Sequence, residues 1–442
     1  MDSPTTETAP ITRMADGTIK QINPLSGTEV WTIQGRANRP LEVAIPDPVP
    51  VAAEAAGQHC AFCSGRYLET PPEKARIVRG DDGSWQTLLS VPASKLFDTV
   101  AEFRRIPNLF EILSLEYWQA NYGYTIPSQV LNRRDAYLTE DEGWEHVLAI
   151  VRTKLRASGF TNDEIDALDE RTLISFADAF FASGHDVIVS RRHYAEGATS
   201  SADLASSGSL SFEEHRHYIS MTAETMRDLY RKYPDAKYVA AFQNWLRPAG
   251  ASFDHLHKQL VTIDERGVQA EREVAKVERD PEIYNRLAVD YAIAHRLVIA
   301  ENNHAIAFAG FGHRFPTLEI YSKSAANFPW KHHPDAIAAM SDLIHACHVA
   351  TGPRIASNEE WHYRPPDVET KMPWRVMLKW RVSTLAGFEG GTKINVNTID
   401  PFTLAARALQ RLEDNRDQIA PTIAIGPECR SERGALTYTE EK

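Results

Sequence analysis

The chain has 442 residues, with 48 Lys and Arg against 60 Asp and Glu, and therefore a formal charge of −12. Apolar residues make up 43% and charged residues 24%, which excludes a disordered, collagen-like or disulfide-dense chain. The acidic total speaks against a protein that wraps nucleic acid, and no apolar run is long enough to span a bilayer, 305–311 (AIAFAGF) being strand-sized. The polar start MDSPTTETAP has neither a basic nor an apolar leader segment, which predicts a cytoplasmic protein with no membrane partner. The length predicts two structural units.

Read in chain order, the first 15 or so residues are expected to be a disordered tail rich in Thr, Pro and Ser. Short runs rich in Val, Ile, Phe, Trp or Tyr predict strands at 29–33, 85–91, 185–190, 237–243, 259–263, 305–311, 317–321 and 375–383. A Pro- and Ala-rich linker occupies 43–58. Segment 111–183 differs from its surroundings, with helical periodicity and many charges, and reads as an inserted helical subdomain. Ser211 and Glu214 stand in capping-box spacing and open a helix over 212–233. Further helices are predicted over 334–350 and 401–416, and one long helical stretch over 270–300. Strands and helices in this order predict an α+β fold rather than a doubly wound parallel sheet.

Three local patterns could carry chemistry. In 244–261, Asn244, Gly250, Ser252, His255 and His257 follow one predicted strand and lead into the next, which Gln259 opens, and His255, His257 and Gln259 share one face of an extended chain. That suits a phosphate site with an imidazole nucleophile. It equally suits a strand with two partly exposed histidines, since 16 histidines make chance pairs such as His215 and His217 expected. Cys60 and Cys63 form a C-x-x-C pair with zinc-knuckle spacing. A closed zinc site needs four ligands, and with Cys347 and Cys429 isolated in sequence the others would be histidines from elsewhere. In 22–40 a turn leads to an apolar strand ending at Arg36 and Arg39, whose planar forks suit phosphate or simply solvent.

Taken together, these segments resemble the galactose-1-phosphate uridylyltransferase family of the histidine-triad superfamily. Residues 23–40 look like its N-terminal signature, 60–73 (CAFCSGRYLETPPE) like its zinc half-site, and 107–110 (PNLF) like its nucleotide loop. Residues 185–193 (HDVIVSRRH) resemble its strand leading to a zinc histidine. Residues 250–259 (GASFDHLHKQ) match its G-x-S-x-x-H-x-H-x-Q motif, and 385–406 resemble its sugar-binding segment and closing helix. The matches follow family order over about 22–412.

The resemblance implies two histidine-triad-like halves, each an antiparallel sheet with helices. Residues 1–300 would carry the nucleophile and zinc site, with 111–183 inserted; 301–420 would contribute sugar contacts and 421–442 would be a tail. It implies His257 as nucleophile, Ser252 and Gln259 as phosphate donors, and a structural zinc on Cys60, Cys63, His193 and His255. Arg36, Arg39, Asn108, Asn244, Gly250, Glu389 and Asn395 would bind substrate, and the protein would be a homodimer. The implied reaction moves a nucleoside monophosphate from a nucleotide sugar to a sugar 1-phosphate. A phosphorylase using inorganic phosphate and a retired nucleotide-binding scaffold are the alternatives. Gln259 cannot act as an acid, which favours transfer or phosphorolysis over hydrolysis. The chain departs from the family at Leu256, at Lys258, at 372–376, where histidines are missing, and at Gly390-Gly391-Thr392.

Overall fold

The structure is a computed structural model that describes residues 9–33, 41–45, 47–52, 57–384 and 386–440. The chain opens with a meander of β1 (Ile11–Arg13), β2 (Ile19–Ile22) and β3 (Glu29–Thr32). Strands β4 (Ala75–Arg79), β5 (Trp85–Leu89) and β6 (Ala101–Pro107) follow. Six helices come next: α1 (Leu115–Tyr122), α2 (Ser128–Thr139), α3 (Asp141–Ala157), α4 (Asn162–Asp166), α5 (Glu170–Ser175) and α6 (Asp178–Ala182). Then come β7 (His185–Ser190), α7 (Phe212–Lys232), β8 (Tyr238–Trp245) and β9 (His257–Ile263). Helices α8 (Gly267–Val277) and α9 (Asp290–Ala294) lead to β10 (Val298–Glu301), β11 (Ala305–Ala309) and β12 (Thr317–Ser322). The chain continues with α10 (Pro334–Thr351), β13 (Ser357–His362), β14 (Arg375–Trp380) and α11 (Gly387–Thr392). It closes with β15 (Ile394–Asn397), α12 (Pro401–Asp414) and β16 (Ala424–Ile425).

The expected α+β class holds. Twelve strands form one sheet in the order β5-β4-β6-β7-β9-β8-β13-β14-β12-β11-β10-β16, with every ladder antiparallel. One pattern occurs twice. Strands β4, β6, β7, β8 and β9 lie in the order first, second, third, fifth, fourth, and β10 to β14 repeat it. Helices α7 and α10 each fill the step from third to fourth strand and pack on one another. The two fourth strands join the halves, Trp245 opposite Ser357 and Phe242 opposite Glu360.

Local chemistry explains the long helices. The capping box is present at α7, with the Glu214 amide donating to Ser211 Oγ (3.2 Å) and the Ser211 amide to Glu214 Oε2 (2.8 Å). Helix α10 starts on Pro334, where a missing amide costs nothing, and its apolar residues sit between the halves in the main core. The helices of 115–182 have their own core, including Val147, Ile150, Leu173 and Phe180. They are tied down where His146 Nε2 meets the Thr70 carbonyl (2.9 Å) and Arg133 Nη2 donates to the Glu73 carbonyl (2.6 Å).

Three expectations are corrected. Residues 270–300 are not one helix. Pro281, which lacks an amide donor, follows the end of α8, a π-type turn spans Tyr284–Val289, and Arg296 at φ +56° turns the chain into β10. Of the expected tail 421–442, the described residues 421–440 are built into the fold: β16 pairs with β10, and Leu436 and Tyr438 are buried because their side chains complete the second half's core. Within the first 15 residues, Ile11–Arg13 pairs with β2. The small sheet β1-β2-β3-β15 adds β15 parallel to β3. It docks on the second half, where Asn23 Nδ2 donates to the Phe311 carbonyl (3.1 Å). A side chain at Gly312 would come within 2.1 Å of the Asn23 amide nitrogen.

Candidate active site and metal centre

Cys60 and Cys63 lie at a turn before β4, His193 just beyond β7, and His255 just before β9. The antiparallel β7–β9 ladder, with Val189 opposite His257, brings the distant histidines together. Cys60 Sγ is 3.4 Å from both His193 Nδ1 and His255 Nδ1, and Cys63 Sγ is 3.8 Å from each. The two sulfurs are 3.8 Å apart. A tetrahedral zinc with ordinary Zn–S and Zn–N bonds has ligand–ligand edges of about 3.5–3.8 Å, so these donors fit the ion. His255 Nε2 lies 2.7 Å from the Ser190 carbonyl, which fixes its proton there and leaves Nδ1 as the donor. Sharing its proton with Cys60 and facing two imidazoles, the Cys63 thiol is pulled below its ordinary range. Cys347 on α10 and Cys429 stand outside this cluster.

Two residues past His255, His257 opens β9 and faces a cleft of about 680 Å³. Its Nδ1 lies 2.7 Å from the His255 carbonyl. The proton therefore resides on Nδ1, and Nε2 is the nitrogen left for chemistry. Burial holds the His257 pKa down at about 4, so the ring is neutral at physiological pH. Ser252, Gln259 and Asn108 line the same cleft, with Phe62, Ile106 and Phe253 among its apolar walls. Ala149, Ile150 and Thr153 of α3 supply the opposite wall, so the helical segment forms part of this cleft.

Residues 14–438 match the family described as "Domain of unknown function (DUF4921)". The chain belongs to the DUF4921 family. No curated protein matches it. Its fold is similar to that of an ADP-glucose phosphorylase from Arabidopsis thaliana with bound ADP-glucose. The TM-score is 0.57 and the identity 17%, over 89% of this chain and 98% of that one. A galT-like protein from the same plant is similar at TM-score 0.56 and 16% identity, over 88% of this chain and 98% of that one. At such identities the likeness establishes the fold.

The remaining sequence candidates of this DUF4921 chain divide by position. Gly250 takes φ +89° in the loop before His257, a conformation open to glycine. Leu246, at φ +65° and ψ 156°, adds strain to the same loop. Asn244 is not in the cleft: its Oδ1 accepts from Asn358 Nδ2 (2.7 Å) where the halves join. Glu389 caps α11 by accepting from the Ala386 amide (3.0 Å), and Asn395 on β15 donates to the Glu29 carbonyl (3.2 Å). Both belong to the region of the small sheet rather than to the cleft walls. Arg36 and Arg39 lie outside the described residues. Lys258, a departure from the motif, points to the opposite face of the sheet, where its Nζ meets Glu359 Oε1 at 2.6 Å.

Sequence reading missed His185 as a site residue. The Ile112 amide donates to its Nδ1 (3.3 Å), and its Nε2 lies 3.1 Å from Gln259 Oε1 and 3.0 Å from Asn108 Nδ2. Asn108 Nδ2 also reaches Gln259 Oε1 (3.4 Å). With its oxygen engaged twice, Gln259 offers its amino group to the cleft. Burial holds His185 at about 4, so the ring is neutral at physiological pH. The only trace in sequence is that His185 and Val187 alternate onto the cleft face of β7.

Proposed function

We propose that this chain is a nucleotidyltransferase that moves a nucleoside monophosphate from a nucleotide sugar to a sugar 1-phosphate through a nucleotidyl-His257 intermediate. The observation that supports this reading is the neutral His257, with Nδ1 held by the His255 carbonyl and Nε2 free in an apolar-walled cleft. Nε2 attacks the α-phosphorus. The N–P bond forms as the bond to the bridging oxygen breaks, and the sugar phosphate leaves with the bond electrons. The ring keeps its Nδ1 proton and becomes cationic, a charge that the His255 carbonyl stabilises. Ser252 and the Gln259 amino group donate to the non-bridging oxygens as charge builds there. A phosphate oxygen of the acceptor then attacks the same phosphorus and restores the neutral ring, a ping-pong sequence.

Asn108 and the apolar walls around Phe62 and Ile150 hold the nucleoside, and Arg36 and Arg39 are assigned to the acceptor phosphate. Cys60, Cys63, His193 and His255 would hold a structural zinc that fixes the base of β9 beneath His257. No step passes through it, because all four tetrahedral positions belong to the protein.

Inorganic phosphate as acceptor is the second reading. It is favoured by the placement of Glu389 and Asn395 away from the cleft, which leaves the sugar of an acceptor without those contacts in a single chain. If the acceptor is a sugar phosphate, a second copy of the chain must bring such contacts to the site, as expected of a homodimer. Incubation with α-labelled UDP-glucose or ADP-glucose followed by denaturation tests the common step. An acid-labile label that disappears in His257→Ala is expected; no label from either donor would overturn both readings. Discharge of the label by inorganic phosphate or by a sugar 1-phosphate then separates the two.

A further inference from the structure

A second cavity, of about 560 Å³, lies on the opposite face of the same strands. The period-two alternation of β6 and β7 divides the two: Ile106, His185 and Val187 face the cleft, whereas Arg105 and the neighbouring Asp186 lie on the other side. Helices α7 and α2 wall this second cavity over β4 and β5. Its size is within the range that small organic ligands occupy and exceeds what one inorganic ion fills.

Its charge is unbalanced. Lys74, Arg105, Arg133, Arg227, Arg231 and Lys232 line it. Three carboxylates serve five of these six cations. Asp186 pairs with Lys74 (2.6 Å) and Arg105 (2.5 Å); Asp228 pairs with Arg105 (2.8 Å), Arg231 (2.7 Å) and Lys232 (2.7 Å); Glu224 pairs with Arg227. Among the described residues, Arg133 has no carboxylate partner: its Nη2 donates to the Glu73 carbonyl, while its buried Nε has no hydrogen-bond partner. The surplus is three positive charges, in a protein whose total is −12. Hydroxyls of Ser90, Ser220 and Thr225 and the Gln129 amide stand among these cations.

We propose that this cavity is a second, non-catalytic site for a small organic phosphate, whose phosphate group lies between Arg133 of α2 and the cations of α7. A phosphate carries about two charges near neutral pH and accepts bidentate contacts from arginine forks, which a single carboxylate would satisfy less completely. The cations already strain one another. Burial pulls Lys74 down to about 8, and burial with the neighbouring Arg105 charge pulls Arg133 down to about 10. A bound anion relieves both. Since Val130 and Tyr137 of α2 share one core with Val147 and Ile150 of α3, a ligand bridging α2 and α7 also steadies the α3 wall of the cleft.

The site does not depend on the transfer reading, and its test needs no turnover. Inorganic pyrophosphate is the first probe and a hexose phosphate the second, with affinity read by calorimetry and location by hydrogen exchange. The expected result is slowed exchange in peptides covering 128–139 and 220–232. Arg133→Gln and Arg227→Gln should each weaken pyrophosphate binding by about tenfold, whereas Ser252→Ala leaves it unchanged. Arg227 is solvent-facing, so its variant keeps the test valid if Arg133→Gln loosens α2. Protection confined to 107–112 and 252–259, unchanged affinity in both arginine variants, or no binding of either probe would overturn the proposal.

Discussion

The two halves of the large sheet share a strand order but not a chemistry. In the first, the fifth strand, β9, presents His257 and Gln259 to an open cleft beside four convergent metal-type donors. In the second, the fifth strand, β14, presents Arg375 to the interior, where it pairs with Glu273 and lies 5.1 Å from the Tyr284 ring. One half keeps polar groups at a solvent-accessible face; the other seals its charge inside an apolar core. The repeated element is the burial pattern, which any sheet covered by a helix needs. The reactive groups occur where a loop and a metal-type cluster hold the start of the fifth strand, and among the described residues only the first half has both.

The sharpest way to break this contrast is to exchange the effects of the two fifth strands. His257→Ala should lower nucleotide transfer by about 10⁴-fold or more with little change in folding, read by covalent labelling and thermal melts. Arg375→Met should do the reverse, stranding buried Glu273 at a cost of ~3–5 kcal/mol while any surviving folded protein still labels. Equal loss of label in both variants, with both folded, would dissolve the distinction.

The metal cluster comes next in size. About one zinc per chain is expected on elemental analysis, and Cys60→Ala should lose it together with several kcal/mol of stability. Cys347→Ala should keep the metal. Protection measured peptide by peptide should fall around 57–66 and 190–193, leaving β10 to β14 unaffected.

The junction is tested by Glu359, which holds Lys258 (2.6 Å) and His348 (2.8 Å) on the face of the sheet opposite the cleft. Glu359→Ala should cost ~3–5 kcal/mol in urea unfolding, because it leaves a buried lysine unpaired. Joint replacement with Lys258→Met should recover most of that loss.

The smallest effect is acid sensitivity. Burial holds His146 and His185 at about 4, below the 6.5 of an exposed histidine. The unfolded chain therefore binds more protons between these values. The stability each group contributes is complete above about 6.5 and is lost as pH falls towards about 4, up to ~3 kcal/mol each. His345 on α10 is held at about 4 as well, so acid should weaken both halves where metal removal weakens one. Urea midpoints across this range check it, and His146→Gln should make the decline shallower.

Several strands escaped sequence reading for one physical reason. In β13 (SNEEWH) polar residues are buried because each has a partner: Glu359 meets Lys258, and Asn358 meets Asn244 and the Ala249 carbonyl. In β4, Arg76 is buried against Glu73, which also receives Arg104. A pattern of charges reads as surface until the matching charges on other strands are known. By contrast, β8 and β11 bury chiefly apolar side chains and were legible at once.

What the residues determined locally was considerable. The Ser211–Glu214 cap set the start of α7, the alternation in HKQ put His257 and Gln259 on one face and Lys258 on the other, and the C-x-x-C turn offered half of a metal site. These depend on contacts within a few residues. Tertiary structure decided the rest. Cys60 meets His193 133 residues away, His185 reaches Gln259 through the β7–β9 register, and Asn244, Glu389 and Asn395 take positions that motif order did not specify. Side-chain chemistry is written in the residue, whereas its neighbours are set by strand order and register. Those follow from burying the apolar surface of the whole chain at once.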